Sequence, residues 1–209
     1  MTSLRSSTVR LKTEFADRSW ESLLSNLLSP PILWAMIALP VAFRDAGPGQ
    51  HPLLWAAIYG LFVCLLPALY IGINVLRGSI SDLHLRERRQ RHRPYLVTIL
   101  SASTAWAMLS LLDASAVMRA LALFSLANVV AMAAITVFWQ ISMHTMSMSS
   151  ALMALALLFS APLALVVSPL LPLVYAARYR LGRHSHRQLL GGAFLGTLLP
   201  LALYLSHPI

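Results

Sequence analysis

Cysteine and charge are the two things this chain has least of. Cys64 is its only cysteine among 209 residues and lies in an apolar run, so an intrachain disulfide and a cysteine-built metal site are both excluded. Charged residues make up 11% of the chain against 58% hydrophobic, and the mean hydropathy is +0.70. A balance this apolar excludes an ordinary soluble domain and places most of the chain in lipid. Acidic residues are the scarcer sign, 7 against 16 Lys+Arg, for a formal net charge of +9. Lys12 is the single lysine; the other basic residues are arginines. No soluble domain is left to bind nucleic acid, so that partner is excluded, and the surplus fits anionic headgroups or a phosphate ester. The first 20 residues have no apolar core and no small-residue cleavage site, so they do not read as a secretory signal.

The long apolar runs set the architecture. They fall at about 22–44, 53–77, 95–112, 117–138, 145–161, 165–178 and 187–206. They are too long and continuous for barrel strands, and lipid otherwise tolerates only helices. The expectation is an all-α integral membrane protein with a bundle of about six to seven transmembrane helices. A polar and interfacial segment, 1–30, precedes one helical domain over 31–209. Within the first segment Trp20, Leu23, Leu24, Leu27 and Leu28 recur at helical spacing, which predicts a short interfacial helix with an anchoring role. Pro30-Pro31 restricts the membrane part of the first run to 32–43. Residues 145–178 as one helix would run about 50 Å, well beyond a bilayer core of about 30 Å. With Pro162, Pro169 and Pro172 inside it, that stretch splits near Ser160-Ala161-Pro162.

The split places three polar loops, 77–95, 139–147 and 177–188, on one face with the N-terminus. The first, RGSISDLHLRERRQRHRPY, has six residues between Arg86 and Arg93-Pro94. The second, WQISMHTMS, carries Ser142 and His144. The third, ARYRLGRHSHRQ, has five residues between Arg178 and His184, with Gln188 four past His184. Each has a plain reading: arginines anchor helix ends, and Ser142 is a helix N-cap. The third loop, with four arginines and two histidines, exceeds what anchoring needs. His84, His92 and His186 read as headgroup-facing loop residues. Met143, Met146, Met148 and Met153 read as packing.

In this order and spacing the loops resemble the type 2 phosphatidic acid phosphatase superfamily, whose pattern is K-x6-R-P, then P-S-G-H, then S-R-x5-H-x3-D. The matching positions are Arg86, Arg93 and Pro94; Ser142 and His144; Arg178 and His184. The resemblance covers about residues 82–195. Arg86 stands for the family lysine, Ile141 and Met143 for Pro and Gly, Ala177 for Ser, and Gln188 for the aspartate.

The resemblance implies a membrane phosphatase acting on a lipid phosphate or isoprenoid diphosphate, with no metal and no cofactor. It makes His184 the nucleophile that forms a phosphohistidine and His144 the acid that protonates the leaving oxygen. Gln188 takes the position that orients the nucleophile. Arg86, Arg93, Ser142 and Arg178 bind the phosphate, a task that suits the planar, permanently charged guanidinium fork. Gln188, which lacks the aspartate charge, keeps open a second reading: a weakened relative that binds or carries a phosphorylated lipid. An intramembrane prenyltransferase or terpene cyclase is a third, disfavoured because the only aspartates are Asp17, Asp45, Asp82 and Asp113. Expected partners are that substrate and membrane lipids. Positive loops predict a site on the cytoplasmic face of a bacterial or archaeal cell membrane. The N-terminal Arg5, Arg10, Lys12 and Arg18, against Glu14 and Asp17, add to that bias.

Overall fold

The computed structural model describes residues 19–206 except Arg86. Arg86 and the charges from Arg5 to Arg18 lie outside the described residues. The described residues form helices and connecting turns, with no strand among them. Helix α1 spans Trp20–Leu27 and α2 spans Pro30–Arg44. Helix α3 runs over Pro52–Leu76. A 3₁₀ turn, Arg88–Arg91, leads into α4, His92–Leu111. Then follow α5, Ala116–Thr136; α6, Met143–Leu158; α7, Ala161–Val167; α8, Leu170–Arg180; and α9, His186–Ser206.

Sequence chemistry explains the boundaries. Ser19, Ser115, Ser142 and Ser160 cap α1, α5, α6 and α7, each accepting a backbone N–H three residues on, as short hydroxyl side chains do. Pro30 and Pro31 open α2, where a missing N–H costs nothing. The break between α6 and α7 falls at Phe159-Ser160, next to the expected one. Inside α3, residues Gly60–Leu65 are π-helical. Leu66 N–H reaches back to the Leu61 carbonyl, so the next donor in that register would be Pro67, which has none. The orphaned Phe62 carbonyl takes the Ser101 hydroxyl of α4 instead.

Five stretches are long and apolar enough to cross a membrane: Pro52–Leu76, Arg88–Leu111, Ala116–Thr136, Ala161–Arg180 and His186–Ser206. The α1–α2 pair, bent by 48°, makes a sixth if counted as one span. The count is thus five to six. The expectation of six to seven included 145–161; α6, with 16 residues, about 24 Å at 1.5 Å per residue, is shorter than those spans but still connects the two ends of the bundle. Large apolar side chains face outward, Leu111, Phe138, Val166 and Leu205 among them. Polar side chains face inward: Ser125, Asn128, Ser149 and Ser150 are buried. That inversion suits a bundle whose surroundings are lipid.

Helix α6 sits centrally, and its most extensive pairing is with α9. Glycine permits it. A Cβ on Gly192 would lie 2.5 Å from the Ser142 carbonyl oxygen, and one on Gly196 would collide with the Met146 backbone. The Ser150 hydroxyl lies 2.8 Å from the Gly196 carbonyl and 2.7 Å from Asn128 Oδ1 on α5. This close packing holds the start of α6 against the start of α9, where two of the three motif loops end.

Candidate functional site

At that end the loops meet. Ser142 N–H donates to the Gln188 carbonyl at 3.0 Å, and Thr145 Oγ1 donates to the Leu189 carbonyl at 3.0 Å. These bonds tie the second loop to the third. His184 follows the turn after α8 and is buried. Gly182, at φ 62, makes the reversal that turns the chain inward there.

Arg178 comes from the last turn of α8 and is 2% exposed. Its Nη1 donates to Ser25 Oγ of α1 at 2.9 Å. His144, in the first turn of α6, is also buried, and its Nε2 lies 3.1 Å from the Ser25 carbonyl oxygen. A carbonyl only accepts, so Nε2 carries the proton. The ionisable groups facing His144 are Arg178, His84 and His184. The His84 ring stacks on His144 with centroids 5.7 Å apart. His84 is therefore part of this cluster and not a headgroup-facing loop residue. His186 does sit at the surface, where it stacks on Tyr179 at 4.0 Å and meets the Tyr175 hydroxyl at 2.7 Å through Nδ1. His92 is exposed too.

The His184 imidazole is pushed down to about 3. Burial is the main cause, followed by the positive charges of Arg178 and Arg91; the Gln188 amide opposes the shift and Arg183 adds to it. A buried imidazole among guanidinium groups loses its proton because a further positive charge there is neither solvated nor paired. At neutral pH the ring is uncharged, the form in which its nitrogen lone pair is free. Its Nδ1 is buried and makes no hydrogen bond.

The other expected site residues fall out differently. Ser142 is fully buried as the cap of α6, its hydroxyl accepting the Thr145 N–H at 3.4 Å. Gln188 is the third residue of α9. Its Oε1 accepts the Ser185 N–H at 3.0 Å, and Ser185 Oγ accepts the Gln188 N–H at 3.5 Å. This reciprocal pair is a capping box, and it explains why an amide serves at that position. Arg93 is exposed, whereas Arg91, two residues earlier, is 3% exposed. Its Nε donates to the Leu85 carbonyl at 2.7 Å.

Helix α1, expected as an interfacial anchor, also reaches the site. It packs on α8, with Arg180 Nη1 3.5 Å from Glu21 Oε1 and the Arg180 guanidinium 5.7 Å from the Trp20 ring centre. Its Ser25 closes over Arg178 and His144. The signal was available as Ser22 and Ser25 on the helix face opposite Leu23 and Leu27. Among the described residues no group of three or more His, Cys, Asp or Glu is placed to hold a metal ion. No family model, curated protein or solved structure matches the chain.

Proposed function

We propose that the chain is an integral membrane phosphatase acting on a lipid phosphate or isoprenoid diphosphate. One observation carries the reading: His184, buried and held neutral, faces Arg178 and shares its surroundings with His144. A neutral imidazole is the nucleophilic form, and guanidinium groups beside it stabilise the charge carried by phosphate oxygens during transfer. In this reading a ring nitrogen of His184 forms a bond to phosphorus as the bond to the leaving oxygen breaks. His144, whose Nε2 carries its proton, gives that proton to the leaving oxygen. Water then cleaves the phosphohistidine and releases phosphate. Substrate enters by displacing Ser25 from Arg178 and His144. The fold in this reading is of the phosphatidic acid phosphatase type, and the site opens to the cytoplasm.

A second reading has its own support. Gln188 is engaged in a helix cap and supplies no negative charge to His184, which favours a member that binds or carries a phosphorylated lipid without turning it over.

Phosphate release by the purified full chain in detergent decides between them. A panel of lipid phosphates and isoprenoid diphosphates is offered, with and without EDTA. Metal-independent release that disappears in His184→Ala supports the phosphatase. Saturable lipid-phosphate binding without release supports the carrier. Magnesium-dependent transfer of the isoprenoid overturns both.

A further inference from the structure

The resemblance gives the phosphate-binding role in the first loop to Arg86 and Arg93, and at Arg93 the geometry points elsewhere. Arg91 and Arg93 are two positions apart at the entry to α4, which turns their side chains about 200° apart at roughly 100° per residue. They cannot both face inward. Arg91 is the buried one, and Arg93 is exposed.

Two observations make the Arg91 position a built one. Its Nε is fixed by the Leu85 carbonyl at 2.7 Å, and its Nη1 is buried with no hydrogen-bond partner. Leu85 itself is 2% exposed and sits at φ 52. A bulky residue in the left-handed region is strained and persists only where its surroundings hold it there. Here that backbone turn presents the carbonyl that fixes Arg91. The Tyr95 hydroxyl is the polar group beside it, and a buried guanidinium held by one edge, with an N–H left over, favours an anion. The positive charge of Arg91 also acts on His184, together with that of Arg178.

We infer that Arg91, and not Arg93, binds the substrate's phosphoryl oxygens, together with Arg178. This rests on the phosphatase or phospholipid-binding reading of the same site. Arg93 lies exposed on the outer face of α4.

The test uses inorganic phosphate as the probe and the full chain in detergent, at constant ionic strength with chloride as the control ion. Phosphate raises the melting temperature of the wild type saturably. Arg91→Gln weakens the apparent phosphate affinity by at least about tenfold, the size of one lost charge-assisted hydrogen bond, while Arg93→Gln stays within about twofold. Should Arg91→Gln fold poorly, Arg91→Lys keeps the charge without the fork and still weakens binding. Phosphate affinity unchanged in both Arg91 variants, loss in Arg93→Gln, or no saturable response in the wild type each overturns the inference. Phosphate binding that depends on Arg91 in a protein that releases none from lipid phosphates leaves the inference standing and removes the phosphatase reading alone.

Discussion

Ser25 Oγ accepts a hydrogen bond from Arg178 Nη1 at 2.9 Å, and both residues are 2% exposed. An oxygen of α1 thus occupies a guanidinium that an incoming phosphate would need. Ser25→Ala takes that oxygen away and leaves the backbone carbonyl on His144 in place. Its melting temperature without phosphate is expected to fall, by the equivalent of about 1–3 kcal/mol for a buried charged donor that loses one acceptor. Its affinity for inorganic phosphate is expected to rise above that of the wild type, since no hydroxyl has to leave. An unchanged phosphate affinity would show that Arg178 lies off the anion's path.

The neutrality of His184 gives a pH dependence with a definite sign. The folded state holds the imidazole at about 3, whereas the unfolded chain protonates it near 6.5. Between those values the unfolded state binds the extra proton, so stability is complete above about 6.5 and declines as pH falls toward about 3. The decline reaches at most about 1.4 kcal/mol per pH unit. Wild-type melting temperature should therefore fall more steeply than that of His184→Gln from about pH 7 to about pH 4. Parallel slopes would mean that this ring is not held neutral.

Gln188 separates cap from chemistry. Glutamate keeps the capping-box geometry at the third helix position and adds a negative charge where the α9 dipole favours one. Gln188→Glu is expected to keep the wild-type melting temperature at neutral pH and to raise the His184 pKa toward its unfolded value, which makes the acid decline just described smaller and ends it at a higher pH. Gln188→Ala loses the side-chain acceptor for Ser185 N–H and should cost about 1 kcal/mol. A Glu variant with the same acid decline as the wild type would place Gln188 too far from His184 to act on it.

Much of this arrangement was legible in the sequence, for identifiable reasons. Run length, the prolines at 162, 169 and 172 and the serine caps are local signals, and the helices begin and end close to where those signals fall. The three polar loops gather at one end because helices joined head to tail by short turns leave little choice. What failed to show is which face a residue takes. Residue spacing counts positions, but the 3₁₀ turn ahead of α4 sets its rotation, and that rotation brings Arg91 inside in place of Arg93. His84 was equally hidden, and Ser25 showed only as a polar position on the face of α1 opposite Leu23 and Leu27. Each reaches His144 through a long-range contact, 60 or 119 positions away in the chain, that no periodicity encodes.

The close approach of α9 to α6 predicts an inverted glycine effect. Gly→Ala inside a helix ordinarily stabilises by about 1 kcal/mol. At Gly196 the added methyl would collide with the Met146 backbone, which has no flexible end to swing away. Gly196→Ala should therefore destabilise, by about 1–3 kcal/mol as overpacking does, seen as a lower melting temperature in detergent. Gly72, whose added methyl meets nothing within 4 Å, is the control, and Gly72→Ala should hold or raise stability. Equal responses at the two positions would show that α6 and α9 do not pack this closely.

The side on which the site opens can be read with single cysteines. The 78–91 and 181–185 connections lie at the site end of the bundle, whereas the turn between α2 and α3 lies at the other end. Arginine-rich short loops are retained on the cytoplasmic side, and the site end holds Arg77, Arg88, Arg89, Arg180, Arg183 and Arg187, against Arg44 and Arg119 at the opposite end. Some of these arginines answer to chemistry as well as to topology, but Arg77, Arg89 and Arg187 are exposed and count as topological signals. Cys64 is buried, so Cys64→Ala makes a quiet background. Ser79, Ser185 and Gln50 are all exposed and serve as labelling positions. In intact bacterial cells a membrane-impermeant maleimide is expected to label Gln50→Cys and to leave Ser79→Cys and Ser185→Cys untouched until the membrane is permeabilised. The reverse pattern would put the histidine cluster on the outer face, where its substrate would have to be a lipid phosphate of the outer leaflet.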